Sequence, residues 1–175
     1  MQQQTQQYFL HTGDIFISAQ PYLIRTILGS CVSVCLWDER KKQGGMNHYI
    51  FNTSRKNEQN SKYGEVSIPL MIDMMLQNGS RLSSMKAHII GGGNNLGMNP
   101  KIGEDNVLIA DRILEKAGIP VVIRNVGGQY GRKVIFNNQT GELDVLCNGN
   151  SCAQFHLQQE TWTYSQDPVW KTGSV

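Results

Sequence analysis

No apolar run in the chain approaches the roughly 20 residues that a membrane-spanning helix requires, so an integral membrane protein is not expected. The first residues, MQQQTQQYF, lack both the basic n-region and the apolar h-region of a secretory signal. A reducing cytoplasm is therefore the expected setting, and Cys31, Cys35, Cys147 and Cys152 are expected as free thiols. At 175 residues the chain is long enough to bury a core without staples, as one domain carrying a tail. Charge of one sign is scarce too: 16 Lys and Arg against 14 Asp and Glu leave +2. That balance offers no clustered basic face of the kind nucleic acid demands. The short run Arg40-Lys41-Lys42 reads as a solvated loop. Cofactor signatures are missing as well. GGGNNLG at 91–97 follows a strand-like segment but has neither the G-x-G-x-x-G spacing nor the Lys-Ser/Thr of a phosphate loop. Cys147, Cys152 and His156 could be drawn as part of a zinc site, yet a fourth ligand at suitable spacing is lacking. No cofactor and no metal are expected.

What the chain does carry is the stretch RTILGSCVSVCLWDERKKQGGMNHYIF at 25–51. Val32 to Trp37 mixes β-branched and aromatic residues without helical spacing, Met46 to Phe51 does the same, and ERKKQGG between them reads as a loop ending in two turn-forming glycines. Cys31 stands at the mouth of the first strand, just after Gly29 and Ser30, and His48 stands in the second. Pairing of the two strands would bring thiol and imidazole together. Nucleophilic cysteine chemistry needs that arrangement, because the thiolate is the attacking species and a neighbouring imidazole shuttles its proton. The residue types leave a structural alternative open, since a strand cysteine is commonly a small buried hydrophobe and a strand histidine a hydrogen-bonded core residue.

The flanking sequence predicts a mixed α/β, or α+β, layered sandwich with a mostly antiparallel or mixed sheet and two main helices. Residues 1–7 are polar and are expected to be disordered. DIFIS at 14–18 reads as a first strand. Val32 to Asp38 is apolar on both faces, the mark of a central strand covered on both sides. The stretch 51–64 has no hydrophobic period and reads as a long loop near the site. Helices are predicted over Glu65 to Gln77, with Pro69 tolerable only in the first turn, and over Glu104 to Lys116, stopped by Gly118. Strands follow at Lys86 to Ile90 and Ile119 to Val126, and a hairpin joins Arg132 to Phe136 with Leu143 to Cys147. Residues 8–147 are taken as the domain and 148–175 as a tail with little regular pattern.

The order of several short blocks resembles the CheD family of bacterial chemoreceptor glutamine deamidases. They are TILGSCV at 26–32, GGMNH at 44–48, YGE at 63–65, GGG at 91–93, IGEDNV at 102–107 and GGQYGRKVIF at 127–136, followed by TGE at 140–142. The resemblance implies a cytoplasmic cysteine-dependent amidohydrolase that converts glutamines on the helical bundle of chemoreceptors to glutamate, with glutamate methyl esters as further substrates. It implies Cys31 as nucleophile, His48 as base and acid, and Thr26 as the residue that holds the imidazole, although Thr26 equally suits a plain strand. Backbone N–H groups around Ser30 and Cys31 are placed in sequence to stabilise an oxyanion, and Gly29 lets a substrate backbone come close. A non-catalytic alternative is a regulatory protein that binds a phosphatase of the CheC type. A third reading is a hydrolase of small amides or esters. Asn47, Asn52 and Asn125-Val126 depart from the residues usual in the family and bear on substrate preference.

Overall fold

The β-branched and aromatic runs become strands of two five-stranded sheets, and the two stretches of helical period become helices packed on one of them. The computed structural model describes residues 5–94, 99–147 and 150–155. In chain order the strands are β1 Gln6–Phe9, β2 Ile15–Ser18, β3 Tyr22–Leu28, β4 Val32–Asp38, β5 Gln43–Asn47, β6 Met85–Gly91, β7 Val121–Val126, β8 Arg132–Asn137, β9 Leu143–Cys147 and β10 Asn150–Phe155. Helix α1 spans Gly64–Gln77 and α2 spans Pro100–Ala117. One sheet has the order β1-β3-β8-β9-β10 and the other β2-β5-β4-β6-β7. Both are mixed, because β1 runs parallel to β3 and β6 parallel to β7 while the other pairs are antiparallel. The layered α/β class is as expected, with two sheets where the sequence suggested one.

Strand β4 explains the layering. All seven of its residues are buried. Val32, Val34 and Leu36 face the helices and pack with Met71, Met75 and Leu114, while Cys35 and Trp37 face the first sheet and pack with Ile24, Val134 and Phe136. A strand apolar on both faces can be satisfied only in the middle layer, which makes the β4 sheet the centre of three layers.

Other expectations need correcting. β5 begins at Gln43, so Gly44 and Gly45 lie inside a strand and not in a turn, and His48 falls one residue past its end. A side chain at Gly44 would sit 2.6 Å from the Leu36 carbonyl, and one at Gly45 would sit 2.4 Å from Ile17 Cγ1. The glycines are there because neighbouring strands approach too closely for a Cβ. β1 opens at Gln6, inside the segment expected to be disordered, and pairs with Tyr22 to Arg25. β10 lies in the stretch read as a patternless tail and pairs antiparallel with β9. Edge strands of this kind draw their order from the neighbouring ladder, which no local pattern announces. Pro69 is the sixth residue of α1, deeper than the first turn. α2 starts four residues earlier than the apolar period, at Pro100, capped by the Asn99 side chain on the Lys101 N–H. Cys31 and Cys35 are free thiols, but Cys147 is disulfide-bonded, contrary to the expectation of free thiols throughout. His156, the third member of the weighed zinc set, lies outside the described residues. No helix among the described residues is long and apolar enough to cross a membrane.

The Arg40-Lys41-Lys42 run is less idle than a solvated loop. Arg40 Nη2 donates to the Gly79 carbonyl at 3.0 Å and Lys41 Nζ to the Asn78 carbonyl at 2.5 Å, bringing cations to the C-terminal end of α1.

His88 on β6 gives the core an acid limit. It is fully buried against Phe136, and its Nε2 donates to the Gly141 carbonyl at 3.3 Å. Burial is the main cause that pushes its pKa down to about 4, offset in part by that carbonyl. The unfolded chain titrates near the ordinary ~6.5 and so takes up the proton first as pH falls. The contribution to stability is complete above about 6.5 and is lost between there and about 4. By pH 5 the linkage amounts to about 2 kcal/mol. Urea unfolding at pH 7.5 and 5.0 is expected to show His88→Gln losing about 2 kcal/mol less than wild type on acidification; equal losses would exclude His88 as the cause.

Candidate active site

The turn Gly29-Ser30-Cys31 is the crossing point from β3 in the first sheet to β4 in the second. Thr26 precedes it on β3, with its side chain buried between the sheets at 2 % exposure. His48 enters from the other side, one residue beyond β5, and is 4 % exposed. Val32 and Tyr49 exchange backbone hydrogen bonds at 3.1 and 3.0 Å as an antiparallel bridge. Continuing that register sets His48 opposite Ser33 and Cys31 opposite Ile50. Strand alternation then turns Cys31 and His48 to the same face, away from Val32 and Tyr49, which pack toward the helices. Diagonal neighbours of this kind lie roughly 7–8 Å apart at the backbone, a span that two side chains can bridge.

Thr26 and His48 are joined directly. Thr26 Oγ1 lies 2.8 Å from His48 Nδ1 and donates its hydrogen to the Leu10 carbonyl, also at 2.8 Å. A hydroxyl has one proton to give. With that proton on Leu10, Oγ1 can only accept from Nδ1, so Nδ1 carries the imidazole hydrogen and Nε2 carries the lone pair. Nε2 is buried and has no hydrogen-bond partner. The backbone of His48 is pinned as well, donating to the Asp14 carbonyl at 3.1 Å and accepting from the Gly13 N–H at 2.7 Å.

The cysteine turn is held by a glycine loop. The Gly92 N–H donates to the Cys31 carbonyl at 2.8 Å and the Gly93 N–H to the Gly29 carbonyl at 2.9 Å. At Gly91, with φ +112°, a Cβ would lie 2.2 Å from the Cys31 carbonyl oxygen, so no other residue fits. The GGG block that lacks a phosphate-loop pattern thus grips the backbone on both sides of Ser30. From the helix layer, Asn106 Nδ2 donates to the Ser30 carbonyl at 3.1 Å and to the Ile50 carbonyl at 2.6 Å. The N–H groups of Ser30 and Cys31 donate to no other residue's backbone or side chain among the described residues. A cleft of about 710 Å³ opens beside Asn106, between the 51–58 loop and the start of α2, with Ser54, Glu58, Tyr63, Lys101 and Asp105 on its walls.

Burial disfavours the charged form of each group. Burial pushes the Cys31 thiol above the ordinary range, with a smaller opposing effect from its own backbone N–H. Burial also lowers the His48 pKa, offset in part by the Leu10 carbonyl and by Asp14. Ordinary values near 8.5 and 6.5 already set proton transfer from thiol to imidazole about 2.7 kcal/mol uphill, and burial widens that gap. Attraction between the two charges at about 4 Å is worth up to about 4 kcal/mol at an effective dielectric of 20. Transfer is therefore feasible only as the groups close on each other.

Of the sequence candidates, Thr26 and His48 meet by a hydrogen bond, Cys31 is set by the strand register on the face of His48 without bonding Nε2, and Gly29 and Ser30 form the turn that carries the thiol. Sequence reasoning missed the Leu10 carbonyl, the loop at Gly91 to Gly93 and Asn106. Asn106 sits within the IGEDNV block, but on the sequence alone it reads as one polar residue in a helix beside Val107. Among the described residues no cluster of His, Cys, Asp and Glu could hold a metal ion.

Residues 51–146 match the family model described as CheD chemotactic sensory transduction, a match that begins just after His48. Similar curated proteins reach further in total length. A probable chemoreceptor glutamine deamidase CheD 1 from Anaeromyxobacter dehalogenans (strain 2CP-C) is 40% identical over 138 residues, covering 77% of this chain and 81% of its own. A probable chemoreceptor glutamine deamidase CheD from Trichlorobacter lovleyi (strain ATCC BAA-1151 / DSM 17278 / SZ) is 38% identical over 138 residues, covering 77% of this chain and 86% of its own. Another of the same name, from Sulfurimonas denitrificans (strain ATCC 33889 / DSM 1251), is 34% identical over 140 residues, covering 77% of this chain and 90% of its own. With a family match over more than half its length and relatives of this identity across most of theirs, the chain belongs to the CheD family.

Proposed function

We propose that this chain is a cytoplasmic amidohydrolase that converts glutamines on the cytoplasmic helices of chemoreceptors to glutamate, through a thioester on Cys31. The observation that carries the reading is the Thr26–His48 hydrogen bond, which leaves Nε2 as an unpartnered base on the face shared with Cys31. His48 Nε2 takes the thiol proton as the sulfur adds to the carboxamide carbon, and the carbonyl oxygen becomes an oxyanion. The Ser30 and Cys31 N–H groups are the donors available to it. The imidazolium then gives its proton to the departing nitrogen, and ammonia leaves as the C–N bond breaks. His48 next takes a proton from water, whose hydroxide adds to the thioester; the C–S bond breaks and the thiolate recovers its proton. A methyl ester differs only in leaving methanol in place of ammonia, so glutamate methyl esters fit the same route. The names of the relatives, chemoreceptor glutamine deamidases, support the substrate class.

Incubation with receptor cytoplasmic fragments, followed by peptide mass spectrometry, tests the reading. The expected result is a mass gain of about one dalton at specific glutamines, with a transient adduct on Cys31. Unmodified receptor glutamines would overturn the reading. If a CheC-type phosphatase were bound in the same assay without any conversion, a regulatory role would replace it.

A further inference from the structure

Asn106 takes no part in the proton transfers, yet it is fully buried and tied to the backbone on both sides of the nucleophile. Its Nδ2 donates to the carbonyl before Cys31 and to the carbonyl that the register sets across from Cys31. Both partners are carbonyl oxygens, so the amide can stand only one way round, with its NH2 on the backbone and Oδ1 left without a partner. The helix that carries it is anchored to the same bridge, because Tyr49 Oη donates to the Asn106 carbonyl at 2.6 Å.

Peptide geometry turns this anchoring into a direction. Each peptide unit is planar and trans, and the described residues have no cis bond, so the C=O and N–H of one unit point opposite ways. Holding the Ser30 carbonyl on Asn106 therefore aims the Cys31 N–H away from α2. Holding the Gly29 carbonyl on Gly93 likewise aims the Ser30 N–H away from the Gly91 to Gly93 loop. Among the described residues, neither of these N–H groups donates to the backbone or side chain of another residue. We propose that Asn106 is a positioning residue that aims the Cys31 N–H at the oxyanion formed when the Cys31 thiolate adds to a carbonyl. The inference rests on the hydrolase reading above and names the α2 side chain on which its oxyanion site depends.

Two reactions at the same sulfur test it. 4-Nitrophenyl acetate acylates the thiolate: a C–S bond forms, the carbonyl oxygen passes through an oxyanion, and the C–O bond to 4-nitrophenolate breaks. Iodoacetamide alkylates the same thiolate by displacing iodide, with no oxyanion at all. With Cys31→Ala as the blank, Asn106→Ala is expected to lower the acylation-to-alkylation rate ratio about 100-fold while alkylation stays within about threefold. Asn106→Ser, which keeps one donor and leaves less empty volume, is expected to fall between wild type and Asn106→Ala. An unchanged ratio in the folded variants, or equal losses in both reactions, would overturn the proposal. So would unfolding of both variants by circular dichroism, which would assign the amide to folding alone. A wild type that acylates but converts no receptor glutamine, with the ratio still dropping in Asn106→Ala, would remove the receptor substrate and leave the positioning role standing.

Discussion

Cys31→Ala is expected to abolish conversion of receptor glutamine to glutamate, by at least about 10⁴-fold in a covalent mechanism that loses its nucleophile. The fold should survive the change, because Cys31 is only partly buried and its alternation partner Cys35 keeps the apolar contacts of β4. Melting within a few degrees of wild type, beside activity below detection, is the expected pair of results. The pH dependence of the wild type follows from the direction in which burial shifts each group. His48 must be neutral to accept the thiol proton, and burial lowers its pKa. The rate should therefore fall on acidification only below the ordinary histidine range near 6.5. Burial of the thiol pushes its ionisation upward, so alkylation of Cys31 should still be climbing above about pH 8.5, where an ordinary thiol is half ionised. A cysteine alkylated at a plateau rate from pH 5 upward would instead show a standing ion pair, and the coupled-transfer account would be wrong. Retained deamidation in Cys31→Ala would remove the sulfur from the mechanism altogether.

Thr26→Val is expected to produce the second largest loss, about 100-fold in kcat with KM little changed. Valine keeps the shape and removes the hydroxyl that links Leu10 to His48. The imidazole then loses the acceptor that fixes its hydrogen on Nδ1, and the tautomer with Nε2 protonated, useless as a base toward sulfur, becomes populated. The Leu10 carbonyl loses its donor in the same stroke, so a stability cost of about 1–3 kcal/mol accompanies the change. Thr26→Ser separates the two effects: it restores the hydroxyl without the methyl and should recover most of the kcat while remaining somewhat less stable than wild type. Equal activity of the valine and serine variants would show that Thr26 serves packing only. A shift in the acidic limb of the kcat/KM profile in Thr26→Val, absent in Thr26→Ser, is the signature that a structural role would not give.

Local pattern carried far in this chain. The doubly apolar run from Val32 to Asp38 identified the central strand, because only a middle layer can cover both faces. The helical period of Val107, Ala110 and Leu114, closed by Gly118 in the left-handed conformation, identified α2 and its end. The glycine-flanked Cys31 and the following His48 were visible as a thiol and an imidazole on two strands that could pair. Other features left no local mark. Gly44 and Gly45 look like a turn to any reading of propensity, and the reason for them is the approach of Leu36 and Ile17 from strands on either side. β1 and β10 are edge strands with polar or mixed sequences, ordered by the ladders beside them.

Sequence alone determined which chemical groups are at hand: a thiol after two small residues, a histidine 17 positions on, a threonine before both. It also determined the layered class, since hydrophobic period is a property of neighbours along the chain. Tertiary structure decided everything that depends on groups distant in sequence. It gave Thr26 to His48 across two sheets, left Nε2 buried without a partner, and set the Ser30 and Cys31 peptide planes with donors from residues 93 and 106. It also shifted both ionisations, because burial, and not residue type, raises the thiol and lowers the imidazole. Hydrogen-bond direction and desolvation both arise from what surrounds an atom in space, and the chain brings those surroundings together only when it folds.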